Sequence, residues 1–406
     1  MNSLRIHPTI TRAQAQNRIW DAIVVGAGPA GSLAARQIAS AGSNVLLIDK
    51  AHFPRWKVCG CCLNGAALAV LSEVGLGELP AQLGALPLDH LRLCASTGQA
   101  VCRLPGGVSV SRVALDAALI RAAIESGVSF LDETTATILP QDPAGETAEW
   151  RQVRLEGNDF DTPLRTRVVL AADGLAGRSL HLEPGLESQV AEGSRVGAGV
   201  VLDDPGDYEQ GVIYMACALP GYVGLVRLED GTLDLAAAFD RKALQASGSP
   251  GALAAQILKV AGLPAPPALE TAAWKGTTLL TRRRSKASGT RLFILGDAAG
   301  YVEPFTGEGI AWAMQSAATV APIAFAGANQ WTASLERQWE SRRSQMLFVR
   351  ERTCRYVGAL LRRPRLAATA VSILRRAPWL AAPVIYAINA PPWKTSGARS
   401  STGSNS

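Results

Sequence analysis

Asp21-Ala-Ile-Val-Val-Gly26-Ala27-Gly28-Pro29-Ala30-Gly31, running into Ser32-Leu-Ala-Ala-Arg-Gln-Ile-Ala39, reads as a buried strand that turns on glycines into a helix. Gly26 permits the tight turn, Gly28 lets backbone approach a pyrophosphate, and Gly31 lets the helix pack close to the strand. The free N–H groups and the dipole of that helix start favour phosphate. Gly42 ends the helix, and a second strand, Asn44-Val-Leu-Leu-Ile48, finishes on Asp49-Lys50. The whole is a βαβ opening with an acid placed for a ribose hydroxyl pair. It predicts a bound dinucleotide without saying which one.

Working outward, 406 residues with 48% hydrophobic content can bury a large core, and the length suggests two or three folding units. The seven cysteines are Cys59, Cys61, Cys62, Cys94, Cys102, Cys217 and Cys354. Their odd number and the clustering of three within four positions do not fit a secreted disulfide framework. Met1 to Arg18 has no continuous apolar core of the signal-peptide kind. No charge-free apolar run of spanning length is expected, and a cytoplasmic location follows as the expectation. Net charge is +6, unevenly spread: from Ser341 onward twelve basic side chains face one acid, +11, which leaves −5 on the body. A basic tail on an acidic body points to an anionic partner.

Lys50 to Asn64 reads as an irregular loop, and Asn64 is placed to cap a helix over Gly65–Val74. Leu86 to Leu104 alternates as one or two strands. Ser111 to Gly127 is an amphipathic helix with Leu115, Ala118, Leu119, Ala122 and Ala123 on one face. Short strands are expected at Val128–Leu131, Thr135–Leu139 and Trp150–Leu155, the last two flanking a turn-rich segment with Pro143 and Gly145. Arg167–Ala172 is a buried strand ending on Asp173-Gly174. From Ser188 to Thr278 four β-like runs and one helix, Gly251–Val260, predict an antiparallel layer. Arg291–Leu295 returns to buried-strand character, ends on Gly296-Asp297, and leads to a helix near Gly307.

The glycine turn, Ala172-Asp173-Gly174 and Gly296-Asp297-Ala-Ala-Gly300 through Pro304-Phe-Thr-Gly307-Glu308-Gly309 thus occur in order. A strand-end Asp297 can present its carboxylate to a polyol, and the glycines with Pro304 leave room for a flat ring. In these motifs the chain resembles the FAD-dependent enzymes of the p-hydroxybenzoate hydroxylase superfamily, and is most similar to the geranylgeranyl reductase branch. The resemblance spans roughly residues 20 to 340.

It implies an α/β fold: a Rossmann-like FAD-binding domain interrupted by an antiparallel-sheet substrate domain, with a C-terminal helical tail. The implied segments are 18–84, 105–187 and 281–340 for FAD, 85–104 and 188–280 for substrate, 341–398 for a basic helical tail, and 399–406 disordered. Gly26, Ala27, Gly28, Pro29, Ala30 and Gly31 would meet the pyrophosphate, Asp49 and Lys50 the adenosine end, and Asp297 the ribityl chain. Arg112 would lie along the FAD, and Asp173-Gly174 matches a motif shared by FAD and nicotinamide binding. Gly296, Pro304, Gly307 and Gly309, together with Lys57, Cys59 and Gly60, complete the implied cofactor set.

Phe53-Pro-Arg55-x-Lys57-x-Cys59-Gly60 is similar to the loop that passes near the flavin ring in geranylgeranyl reductase-like proteins. Arg55 and Lys57 would lower a nearby thiol pKa, making Cys59 a redox or proton-donating group. Cys59, Tyr222 and Glu308 are the expected catalytic residues. The cysteine spacing offers no zinc site.

The expected reaction is reduction of a C=C bond in a hydrophobic, isoprenoid-like molecule, with NAD(P)H a transient electron donor or the donor some other reductant. Around Tyr222 the aromatic-rich strand of the reductase branch is altered, Gly224 standing where that branch has Trp. A monooxygenase or halogenase-like enzyme, and a non-catalytic flavin-binding interaction protein, therefore stay open beside the reductase. In the tail, arginine pairs alternate with apolar runs, which suits either a membrane surface or packing on the body. No motif accompanies the charge to suggest nucleic acid.

Overall fold

The computed structural model describes residues 5–141, 149–157, 162–204, 206–303 and 307–389. The segment around Pro143 and Gly145, Pro304, and the polar end 399–406 lie outside them.

Four apolar strands build a parallel sheet in the spatial order Leu164–Ala171, Ile19–Val25, Val45–Ile48, Ser129–Leu131. Leu292–Ile294 extends it in parallel beyond Leu164–Ala171. All of Val45–Ile48 and the inner part of Ile19–Val25 are buried on both faces, as parallel strands between helices must be. The helices covering it are Pro29–Ser40, Arg112–Glu125 and Gly309–Asn329, all contributing to one core. This is the Rossmann-like arrangement expected, and the glycine turn sits at the C-terminal end of the central strand, where such sheets bind ligands.

The second sheet has seven strands, in the order Lys275–Leu279, Val196–Leu202, Leu233–Phe239, Gly221–Arg227, Val212–Ala218, His90–Ala95, Gly98–Arg103. Its pairs are antiparallel except Val212–Ala218 with His90–Ala95. Period two sorts its residues. Val200, Leu225, Leu233, Leu235 and Phe239 pack with Leu253, Ile257 and Leu258 of the helix Pro250–Val260. The opposite face looks back toward the parallel sheet. A short helix, Arg241–Ser247, precedes Pro250–Val260 and escaped the sequence reading because none of its residues is buried.

Gly309–Asn329 corrects another expectation. It is a charge-free helix of 21 residues, long and apolar enough to span a membrane. Two-thirds of its most apolar window is buried inside the protein, against Pro29–Ser40 and Gly65–Glu73 among others. Its apolar character is therefore that of a core helix.

The basic tail forms Ala333–Leu361, Pro364–Arg376 and Ala382–Asn389, and it packs on the body. Val371 is buried with Ala95 and Ala100 of the second sheet, and Ile385 joins the cluster around Met215 and Tyr222. Asn389 Oδ1 accepts the N–H of Gly65 at 3.2 Å.

Candidate functional site

A cavity of about 900 Å³ lies between the glycine turn and the open face of the second sheet. The turn is held in a shape that only glycine can take without collision. At Gly26, with φ +105°, a Cβ would sit 2.4 Å from the Ala172 carbonyl oxygen; at Gly31 it would sit 1.8 Å from that of Gly26. At Gly28 a Cβ would make only ordinary contact, 3.8 and 3.9 Å from guanidinium nitrogens of Arg55 and Arg112. Gly26, Gly28, Pro29 and Ala30 line the cavity. Ala27 and Gly31 do not: they shape the turn, Gly31 by packing helix on strand and Ala27 by donating its N–H to Asp49 Oδ2 at 2.7 Å. Asp49 Oδ1 accepts from Ala51 N at 2.9 Å, which fixes the carboxylate beside the turn and leaves further lone pairs for hydroxyls.

Lys50, Lys57, Cys59, Gly60, Arg112, Asp173, Gly174, Gly296, Asp297, Gly307 and Gly309 also line the cavity, as does Tyr222 from the sheet. Segments from across the chain thus converge on one cavity. Close approach explains two of the glycines. A Cβ on Gly296 (φ +53°) would press to 3.1 Å from Ala30, and one on Gly307 (φ +74°) to 3.1 Å from Cys62. Asp173 Oδ2 accepts the Ser179 N–H at 2.8 Å, while its buried Oδ1 has no partner among the described residues. Burial raises the Asp173 pKa.

Arg112 opens its helix under a Ser111 cap, and Ser111 is itself held by Glu229 from a turn of the second sheet, at 2.6 and 2.8 Å. The guanidinium forms two 2.8 Å hydrogen bonds to Asp116 one helical turn on. Burial pulls the Arg112 pKa down, but Asp116 and Cys59 more than offset it. Arg55 lies 3.8 Å from Asp116 and 3.7 Å from Asp49. Lys57 has a lowered pKa, from burial first and then from Arg112.

The cysteine loop turns at Cys61, which has a left-handed φ of 50°. Its N–H points at Cys59 Sγ, 3.4 Å away. The Cys59 pKa is lowered to about 6, chiefly by a hydrogen bond from the Cys61 thiol, with Arg112 assisting against burial. Cys61 and Cys62 are raised. All seven cysteines are free thiols. Among the described residues no cluster of His, Cys, Asp or Glu could hold a metal ion.

Glu308 is a correction. It is fully buried at the head of Gly309–Asn329, but it accepts the thiol of Cys354 at 2.7 Å, from the C-terminal helix Ala333–Leu361. It does not line the cavity. Its neighbours Gly307 and Gly309 do, and sequence alone could not say which way the side chain between them turns.

The sequence reading also missed residues. Arg195 is buried, 3.0 Å from Glu303 and 3.2 Å from Asp240, with its guanidinium 5.6 Å from the Tyr222 ring centre. Tyr222 has a pKa well above its ordinary value, from burial and then Glu303. Asp234, an acid in an otherwise apolar strand, faces the cavity. The signal for it was available: an acid in alternating phase within Leu-Asp-Leu-Ala-Ala-Ala-Phe.

Residues 20–345 match the FAD binding domain family. The chain belongs to this family, within the p-hydroxybenzoate hydroxylase superfamily, and is an FAD-dependent oxidoreductase by class. It is 29% identical to a menaquinone reductase of Mycobacterium tuberculosis over 340 residues, 75% of this chain and 76% of the relative. It is 32% identical over 183 residues to a digeranylgeranylglycerophospholipid reductase of Methanopyrus kandleri, 41% of this chain and 44% of the relative. Conditioned medium factor receptor 1 of Dictyostelium discoideum is 28% identical over 323 residues, 73% of this chain; the match spans only 61% of that protein's length. The fold superposes on the flavin-dependent brominase Bmp2 with a TM-score of 0.75 at 15% identity, covering 92% of this chain and 94% of that one.

The site fits FAD. The turn is shaped by glycines whose Cβ atoms would collide, Gly28 lies beside the cationic Arg55 and Arg112 guanidinium groups, and among the described residues Asp173 keeps a buried oxygen without a partner.

Proposed function

We propose that this protein reduces a carbon–carbon double bond in a hydrophobic, isoprenoid-like molecule. In this reading Gly26, Gly28, Pro29 and Ala30 hold the pyrophosphate of FAD, Asp49 and Lys50 its adenosine end, and Asp297 its ribityl chain. Reduced FAD supplies a hydride when bound. The chain's own residues do the rest: they orient the substrate, exclude water and hold a proton.

The observation that carries the reading is the floor of the cavity. Ile213, Met215, Val226, Ala236 and Ala238 present an apolar sheet face opposite the cysteine loop. Such a surface suits a hydrocarbon chain. The two relatives named as reductases of menaquinone and of an isoprenoid phospholipid support the same substrate class.

NAD(P)H is the proposed transient electron donor. The arginine-bearing tail, exposing Trp379, Leu380 and Tyr386, is the proposed contact with a membrane from which such a substrate would come. The location proposed with it is cytoplasmic and peripheral at the membrane.

The test is anaerobic. The flavin is photoreduced in the loaded protein, and menaquinone or digeranylgeranylglycerophospholipid is added in detergent. Substrate-dependent reoxidation with gain of two hydrogens supports the proposal. Products that form only with oxygen and carry an added oxygen atom would establish a monooxygenase, and halide incorporation a halogenase. A flavin that no substrate or donor reoxidises or reduces would favour a non-catalytic role.

A further inference from the structure

The strand Leu233–Phe239 sends Leu233, Leu235 and Phe239 into the packed layer, and Asp234, Ala236 and Ala238 toward the cavity. Asp234 pairs with Val201 on one side and Val226 on the other. It is 1% exposed, and among the described residues neither carboxyl oxygen has a hydrogen-bond partner. It forms no ion pair among the described residues. Leaving a buried polar group in that condition is costly unless something entering the cavity pairs with it.

The groups facing it are the thiols of Cys59, Cys61 and Cys62 on the loop and Arg112 at the start of its helix. Burial, reinforced by Cys59, drives its pKa well above the carboxylate range; the Cys61 thiol and Arg112 pull the other way and lose. An apolar wall that keeps a carboxylic acid neutral near pH 7 makes it a donor rather than an acceptor.

We propose that Asp234 is the acid that protonates the substrate double bond. The inference rests on the reductase reading above. In the step, one alkene carbon receives a hydride, which brings two electrons, from reduced flavin. The π electron pair of the alkene forms a new C–H bond with the Asp234 proton at the other carbon. The O–H bond breaks, its electrons stay on the carboxylate, and the alkene has gained two hydrogens. The carboxylate is reprotonated from water once product leaves. Cys59, already favoured as a thiolate, is then an electrostatic neighbour that keeps the proton on Asp234 until it is needed.

The experiment uses flavin-loaded wild type, Asp234→Asn and Asp234→Glu, with equal flavin absorbance per chain as the check on folding. Iodoacetamide alkylation at Cys59 is followed against pH by mass spectrometry, and anaerobic reoxidation with menaquinone or digeranylgeranylglycerophospholipid by absorbance. A neutral Asp234 is electrostatically equivalent to asparagine, so the Cys59 alkylation midpoint should be the same in wild type and Asp234→Asn. Reoxidation should slow about 100-fold or more in Asp234→Asn, since positioned acids contribute roughly 10²–10⁴-fold, with partial rescue in Asp234→Glu. A Cys59 midpoint that falls in Asp234→Asn would show a carboxylate there and overturn the proposal. Wild-type turnover with an unslowed Asp234→Asn would overturn it alone. Absence of turnover in wild type itself would remove the reductase reading, and this assignment with it.

Discussion

At Cys59, burial opposes a thiolate while the Cys61 hydrogen bond and the Arg112 guanidinium favour it, and the favouring side wins. The sign of any change follows. Arg112→Met removes a positive charge, so the thiolate loses support and its pKa rises. Iodoacetamide alkylation at Cys59, with a wild-type midpoint near pH 6, should move to higher pH and slow at pH 7. A midpoint unmoved in Arg112→Met would show that the guanidinium does not act on the thiol. Cys62 behaves oppositely: burial raises its pKa, so site-resolved alkylation at neutral pH should spare it. At this scale the sequence was legible where local motifs sufficed, as with Arg55, Lys57 and Cys59 in one loop. It was not legible where direction mattered. Glu308 sits between two glycines that line the cavity yet bonds Cys354, 46 positions on, and Asp234 reaches the site only through the pairing of distant strands.

The strand–turn–helix element divides its glycines by job, and substitution should separate them. Gly31→Ala places a Cβ 1.8 Å from backbone, an overlap that no rotamer relieves. It should destabilise the fold by several kcal/mol, at the upper end of about 0.5–3 kcal/mol for ordinary point changes or beyond it, and lower the thermal midpoint markedly. Gly28→Ala meets nothing closer than 3.8 Å. Its flavin-free form should melt like wild type but retain less FAD through gel filtration. Equal melting of the two flavin-free variants would refute this division. The element could be recognised from sequence because its restrictions are local, set by glycine spacing and strand periodicity. The helix Gly309–Asn329 could be placed, but its burial could not, since an uncharged core helix and a spanning helix share a composition. The helix Arg241–Ser247 buries nothing and so left no apolar pattern to find.

In the whole molecule the tail ties the two sheets together. Arg362, just past the end of Ala333–Leu361, reaches Gly193 O at 2.6 Å and lies 3.8 Å from Glu303, the partner of Arg195. One face of the tail is thus committed to the body. Elsewhere the tail leaves Trp379 71% exposed and Tyr386 66% exposed, shortly after Arg375 and Arg376 in the sequence. If that surface meets lipid, the protein should sediment with vesicles containing anionic phospholipid and be released as salt rises. The triple variant Trp379→Ala, Leu380→Ala, Tyr386→Ala should lose sedimentation while melting within a few degrees of wild type, because exposed substitutions typically change stability by about 0.5 kcal/mol or less. Equal binding of the triple variant, or no dependence on lipid charge, would refute the contact. The two-sided use of the tail was not legible beforehand, because an arginine–leucine alternation has the same appearance whether its apolar stripe meets protein or lipid.

The hairpin of Gly221–Arg227 and Leu233–Phe239, joined through Leu228 to Thr232, also constrains how this chain can vary. Which side of the sheet a residue faces there is a matter of odd or even count from the turn. Removing a single residue from that turn, such as Asp230, would send Leu233 and Leu235 into the cavity and set the Asp234 carboxyl against Leu253 and Ile257. Every side chain of Leu233–Phe239 would be retained and every one would be on the wrong side. Lengths that differ here by two residues preserve the parity; lengths that differ by one abolish it. The turn therefore acts as a counting device, and the chemistry of the cavity depends on a number as much as on any residue type.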